Sequence, residues 1–155
     1  MSPQTIAIVG AGIGGLAAAA LLAGDGHNVT VFDQFAAPRP LGSGLVLQPT
    51  GQAVLAEIGA LATAQAHGAA IDRLIGREVS NNRRVLDVRY SHNGTRAGLA
   101  IHRASLFDAL LAAAIAAGAQ LSPDSPVAGQ THDAPRRIIL QNGKQHGPFD
   151  LVVDG

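Results

Sequence analysis

The chain has 155 residues, 47% of them apolar and 14% charged, with Lys+Arg and Asp+Glu balanced at 11 each. That length is enough for one domain with a real core, and the even charge, with no basic block interleaved with aromatics, argues against a nucleic-acid partner. Cysteine is absent, which excludes disulfides, zinc–thiolate sites and a cysteine nucleophile.

The first four residues carry no basic side chain and the apolar run behind them is broken by glycines, so it does not read as a secretory signal. No stretch approaches the roughly 18 uninterrupted apolar residues of a membrane span. The expectation is a cytoplasmic protein without a membrane span.

Ile6-Ala7-Ile8-Val9 reads as a short strand buried on both faces, the kind parallel sheets contain. Ile13 to Ala23 is rich in Ala and Leu and predicts a helix, with Gly24-Asp25-Gly26 as its C-terminal stop. The β-branched run from Asn28 to Asp33 is a second strand, completing a βαβ unit. Gln34 to Gly44 holds two prolines and two glycines and is expected to be a loop. Pro49 to Ala60 predicts a helix, with Thr50 as its N-cap and Gly59 as its stop.

Between Ile71 and Tyr90, two β-like runs flank Asn81-Asn82, a hairpin signal. The second run, Arg84 to Tyr90, alternates apolar and polar residues and predicts one buried face and one wet face. His102 to Gln120 predicts a strong helix ended by Gly118. Pro126 to Gly155 predicts several short strands, with Asn142-Gly143 as a hairpin turn.

Glycine weakens both helix and strand, yet Gly10, Gly12, Gly14 and Gly15 sit together between the first strand and the first helix. Gly10, Gly12 and Gly15 match G-x-G-x-x-G. Gly10 suits the tight turn, Gly12 lets a pyrophosphate approach the backbone, and Gly15 lets the helix pack on the sheet. The helix N-terminus would supply N–H groups and partial positive charge to the phosphates. Asp33, ending the second strand, is the acid expected about 20 residues on, able to accept from a ribose diol. A strand before, a helix after and an acid at the right spacing favour a dinucleotide site over a plain turn.

The fingerprint, the Gly42–Gly59 stretch, the His-Arg-Ala-Ser-Leu run at 102–106 and the final Asp154-Gly155 occur in that order. This order resembles the FAD-dependent aromatic hydroxylases, the single-component flavoprotein monooxygenases of the para-hydroxybenzoate hydroxylase type. The resemblance spans nearly the whole chain but only the N-terminal part of such enzymes. It implies an α/β fold: a Rossmann-like FAD-binding domain with a parallel central sheet, a β-meander crossover, and a hairpin belonging to an incomplete substrate domain. Residues 1–70 and 98–155 would form the FAD-binding domain and 71–97 the hairpin.

The resemblance also implies site residues. Gly10, Gly12, Gly15 and the intervening Ile13 and Gly14 match the pyrophosphate turn; Asp33, followed by Gln34, takes the ribose-binding position. Gly44 and Leu45 match a loop passing close to the flavin, and Arg103 an arginine near the FAD pyrophosphate. Val127 matches the backbone position that meets the adenine, and Asp154 the aspartate of a DG motif that supports FAD and NAD(P)H use. The serine and arginine that continue that motif, and a later GD motif, are not in this chain, so the chain alone is expected to be an incomplete enzyme. The implied activity is hydroxylation of a small aromatic substrate with O2, with NADH or NADPH as transient reductant. No catalytic acid or base is named within these residues.

Two other readings share the glycine fingerprint: another FAD oxidoreductase on the same scaffold, or a dinucleotide-binding module without turnover. A halogenase would show a tryptophan signature, and the chain has no Trp. The histidines at 27, 67, 92, 102, 132 and 146 lack metal-ligand spacing, and Ser43, Ser105 and Ser125 lack a nucleophile-elbow context.

Overall fold

A computed structural model describes residues 2–37, 43–90 and 97–155. The middle of the Gln34–Gly44 loop and His92 therefore lie outside the described residues. β1 (Thr5–Val9), α1 (Ile13–Gly24) and β2 (Asn28–Phe32) form the expected βαβ unit. β1 pairs in parallel with β2 on one side and with β12 (Leu151–Asp154) on the other, and β8 (Gln120–Ser122) joins β2. The resulting parallel sheet runs β12-β1-β2-β8.

Side chains alternate across a strand, and β1 shows why its run is continuously apolar. Ile6 and Ile8 enter a core built largely from helices, whereas Ala7 enters a second core with Phe32, Ile138, Leu140 and Phe149. All three are essentially without solvent exposure. The helical side comes from α1 and from α4 (Arg103–Ala116), which pack on each other through small and aliphatic residues. On α1 the buried positions are Gly15, Leu16, Ala19, Ala20 and Ala23, a stripe at helical spacing.

The opposite side is an antiparallel meander of β9 (Val127–Gln130), β10 (Arg136–Leu140) and β11 (Gln145–Phe149), inserted between the parallel strands β8 and β12. Phe149 meets Phe32 edge-on at 5.9 Å between ring centroids and ties the meander to β2. Gly143, at φ +81°, makes the turn between β10 and β11 as its Asn-Gly pair predicts.

The remaining elements lie in the crossover from β2 to β8. β3 (Gly44–Leu47), β7 (Gly98–His102) and β4 (Gly68–Ile71) form an antiparallel sheet in that order. α2 (Pro49–Glu57) and α3 (Leu61–Ala66) bridge β3 and β4. Thr50 is not the N-cap of α2. Gln48 takes that position, and Pro49 occupies the first helical residue, where its missing N–H removes nothing. Gly26, Gly59 and Gly118 all adopt left-handed φ where helices end, as their sequence positions predict.

β5 (Arg73–Arg77) and β6 (Arg84–Arg89) form a separate two-stranded hairpin. Asn82, at φ +56°, provides the turn. The alternation of β6 is real, but its buried face is not: every residue of the strand is exposed. Leu74 lies opposite Val88 and Gly76 opposite Leu86, so Leu74, Leu86 and Val88 share one apolar face, each at least 36% exposed. Arg73 grips Asp87 through two 2.7 Å bonds and Arg84 reaches the same carboxylate at 2.8 Å. The hydrogen bonds from Arg73 hold the Asp87 carboxyl below the usual carboxylate range. Among the described residues no helix is long and apolar enough to cross a membrane.

Candidate functional site

The glycine turn lies at the carboxyl end of β1, and three of its four glycines can be assigned separate physical reasons. Gly10 has φ +101°, and its N–H donates to Phe32 O at 2.8 Å, closing the turn against β2. A Cβ there would also lie 2.6 Å from the carbonyl oxygen of Gly155. At Gly15 a Cβ would run into the carbonyl oxygen of Gly10, so this glycine sets how closely α1 approaches the sheet. Gly155 completes the contact. Its N–H donates to Val9 O at 2.9 Å, and a Cβ on it would come within 2.9 Å of Gly15 Cα.

Gly12 is different. Its φ of −78° and ψ of −176° are ordinary extended values, and a Cβ there would meet no atom of the described residues within 4 Å. Nothing among the described residues requires glycine at this position. It is the N-cap of α1, where no side chain caps the helix and no acid lies in the first turn. The first-turn N–H groups have no intrahelical acceptors, so together with the helix dipole they suit an anion. This combination fits a pyrophosphate held against the backbone. Ile13 and Gly14 are the first two helical residues: Ile13 packs on the helical core, and a Cβ at Gly14 would meet open space.

Beside the turn is a cavity of about 230 Å³ lined by Val9, Gly10, Phe32, Asp33, Gln34, Ser125, Pro126, Val127 and Gln141. It gathers Gly10, Asp33, Gln34 and Val127, which are far apart in sequence, at the ends of β1 and β2 and the start of β9. Both carboxylate oxygens of the half-buried Asp33 are engaged by backbone. Oδ2 accepts from Ala11 N–H and Oδ1 from Phe35 N–H, each at 2.8 Å. The turn after β8 is laced to the same residue: Asp33 N–H donates to Ser122 O at 3.1 Å and Ser125 N–H to Asp33 O at 2.8 Å. Asp154, opposite Val9 in the parallel register, is exposed beside a neighbouring cavity that also holds Val9 and Val127.

Gly44, Leu45 and Arg103 form a second group. Gly44 and Leu45 are not in a loop; they begin β3 and pair with His102 and Ile101 of β7. Arg103 is the exposed first residue of α4, and its N–H donates to Ser43 O at 2.9 Å, which places it next to Gly44. His102 caps α4, its Nδ1 accepting from Ala104 N–H at 3.2 Å. Sequence reasoning did not reach Ser125, Pro126 and Gln141 as cavity walls, nor the contact of Gly155 with the turn. The two prolines flanking Asp124-Ser125 were a local signal for the first of these. Among the described residues no cluster of His, Cys, Asp or Glu is arranged as a metal site.

A parallel sheet with a glycine turn opening onto a helix N-terminus, and an acid at the end of the next strand, defines a dinucleotide-binding α/β protein. A family profile described as an FAD binding domain matches residues 4–145, and the chain belongs to that family. It is 35% identical over 118 residues to 6-hydroxynicotinate 3-monooxygenase of Bordetella bronchiseptica, covering 73% of this chain and 30% of that one. It is 47% identical over 58 residues to the enzyme of the same name from Pseudomonas fluorescens, covering 37% and 15%. The structure superimposes on tetrameric 2-methyl-3-hydroxypyridine-5-carboxylic acid oxygenase with a TM-score of 0.81 at 26% identity, over 98% of this chain and 39% of that chain. The chain thus spans well under half the length of these relatives.

Proposed function

We propose that this chain is the FAD-holding portion of an NAD(P)H-dependent flavoprotein monooxygenase that hydroxylates a small aromatic compound with O2 in the cytoplasm. The observation that supports this most is Gly12, a glycine that the packing of the described residues does not need, at an uncapped helix start within a matched FAD binding domain. Gly10, Gly12, Ile13, Gly14 and Gly15 would hold the pyrophosphate against backbone N–H groups. Asp33 and Gln34 would face the adenosine ribose, and Val127 the adenine. Gly44, Leu45, Arg103 and Asp154 would lie along the remainder of the cofactor. Residues 1–70 and 98–155 would form the FAD-binding unit, with the 71–97 hairpin contributing its apolar face to a substrate domain.

FAD, when bound, supplies the redox chemistry and the reaction with O2. The chain's own residues bind and orient it. The relatives' names describe hydroxypyridine carboxylates, rings whose hydroxyl group activates them toward oxygenation, and we propose the same class here. The test uses the polypeptide carrying this chain, loaded with FAD and given NADH or NADPH in air. Hydroxypyridine carboxylates are expected to accelerate nicotinamide oxidation and to yield a product one oxygen heavier. Oxidation indifferent to every hydroxylated aromatic would contradict the substrate class, and loss of reduction by both nicotinamides would contradict the monooxygenase reading.

A further inference from the structure

We propose that Asp33 is the positioning residue of the dinucleotide turn: its carboxylate clamps the glycine turn and the loop after β2 together, independently of any contact with ribose. The proposal rests on the FAD-binding reading for its consequence, but the clamp itself is a feature of the chain alone. A carboxylate is an acceptor on both oxygens, and here each oxygen takes one backbone N–H at 2.8 Å. Ala11, whose N–H is one of the two, is buried and lies between Gly10 and Gly12. An N–H in that setting without an acceptor is unfavourable. Asp33 thus supplies the partner that lets residue 11 remain buried in the turn.

The main chain of Asp33 extends the clamp to a third wall. Its N–H and C=O bond Ser122 and Ser125, and Asp124 N–H donates to Phe35 O at 2.9 Å. The 7%-exposed Ser125 is fixed in turn, its Oγ 3.0 Å from Ser122 Oγ and 3.1 Å from the Pro123 carbonyl oxygen. Three segments that line the cavity beside the glycine turn therefore meet at one residue. Each carboxylate oxygen has a second acceptor site, so a ribose hydroxyl can add to the clamp without displacing it. Positioning and ribose contact are then separable contributions of one side chain, and each can be removed without the other.

The test removes them separately. Amide hydrogen exchange is measured on the ligand-free wild type, Asp33→Ala and the isosteric Asp33→Asn. Exchange at Ala11 and Phe35 is expected to quicken by about tenfold or more in Asp33→Ala, in line with loss of a charge-assisted bond. An asparagine has one acceptor oxygen, so Asp33→Asn is expected to leave one of the two amides protected and release the other. Affinity is then measured for ADP and for 2′,3′-dideoxy-ADP, which lacks the ribose diol. Asp33→Ala is expected to weaken both, the dideoxy ligand by about tenfold. Wild-type exchange at Ala11 in both variants would overturn the clamp, as would equal dideoxy-ADP affinity in wild type and Asp33→Ala. Should ADP bind to none of the proteins, the cofactor reading fails while exchange at Ala11 still decides the clamp. Should Asp33→Ala fail to fold, the split between the two amides in Asp33→Asn decides it.

Discussion

Gly12→Ala is expected to weaken FAD binding by about two orders of magnitude while leaving the fold intact. The added Cβ meets no atom of the described residues within 4 Å, and the backbone at residue 12 has angles any residue adopts. The cost to stability is that of exchanging glycine for alanine at an N-cap, about 1 kcal/mol or less. That corresponds to a fall in Tm of about 2–4 °C for a chain of this size. The same Cβ would occupy the space through which a pyrophosphate approaches the helix start. A loss of about two orders of magnitude in affinity, roughly 2.8 kcal/mol, is the expected result of a flavin fluorescence titration. Wild-type affinity in Gly12→Ala would mean that the phosphates lie elsewhere.

Gly15→Ala is expected to do the reverse in order of cause. Here the Cβ collides with a backbone carbonyl, that of Gly10, and with nothing that can swing aside. Helix α1 must lift from the sheet, opening the contacts of Leu16 and Ala19, both fully buried. Overpacking commonly costs about 1–3 kcal/mol, and an immovable backbone partner puts this site at the upper end. The expected fall in Tm is about 6–12 °C, measurable by thermal unfolding of the ligand-free protein. A Tm within 2 °C of wild type, on the same scale, would show that α1 can retreat at little cost and that Gly15 has no packing role. Two glycines three residues apart are thus expected to be separable, Gly12→Ala by its effect on FAD binding and Gly15→Ala by its effect on the fold.

The βαβ unit was legible because its signals are local. A continuous apolar run, an Ala/Leu helix and a β-branched run follow one another with glycines at each junction, and Gly26, Gly59, Gly118 and Gly143 all take the left-handed angles their positions suggest. The β3-β7-β4 sheet was not legible. Gly68-Ala69-Ala70-Ile71 has almost no β propensity of its own and becomes a strand by pairing with β7, which sits in the core through Leu99 and Ile101. Gly44 read as loop because two prolines and a glycine precede it, and Leu45 through the resemblance alone, yet β7 recruits both. The hairpin failed in another way. Its alternation places Leu74, Leu86 and Val88 on one face and Arg73, Asp87 and Arg89, with Ile75 and Val85, on the other, but alternation does not say whether anything covers the apolar face. At the site, the residues of the fingerprint were visible from spacing, and Asp33 from its distance along the chain. The walls formed by Ser125, Pro126 and Gln141 were not, because Ser125 and Pro126 reach the cavity through the β8–β9 turn, and Gln141 through the β10–β11 turn, where its N–H donates to Pro126 O.

The most direct test of the account is the titration of the purified, cofactor-stripped chain with FAD, followed by flavin fluorescence or by calorimetry, with NAD⁺ as the comparison ligand. One FAD per chain is expected, displaced competitively by ADP, with NAD⁺ binding at least tenfold more weakly. Failure to bind FAD, or equal affinity for FAD and NAD⁺, would contradict it.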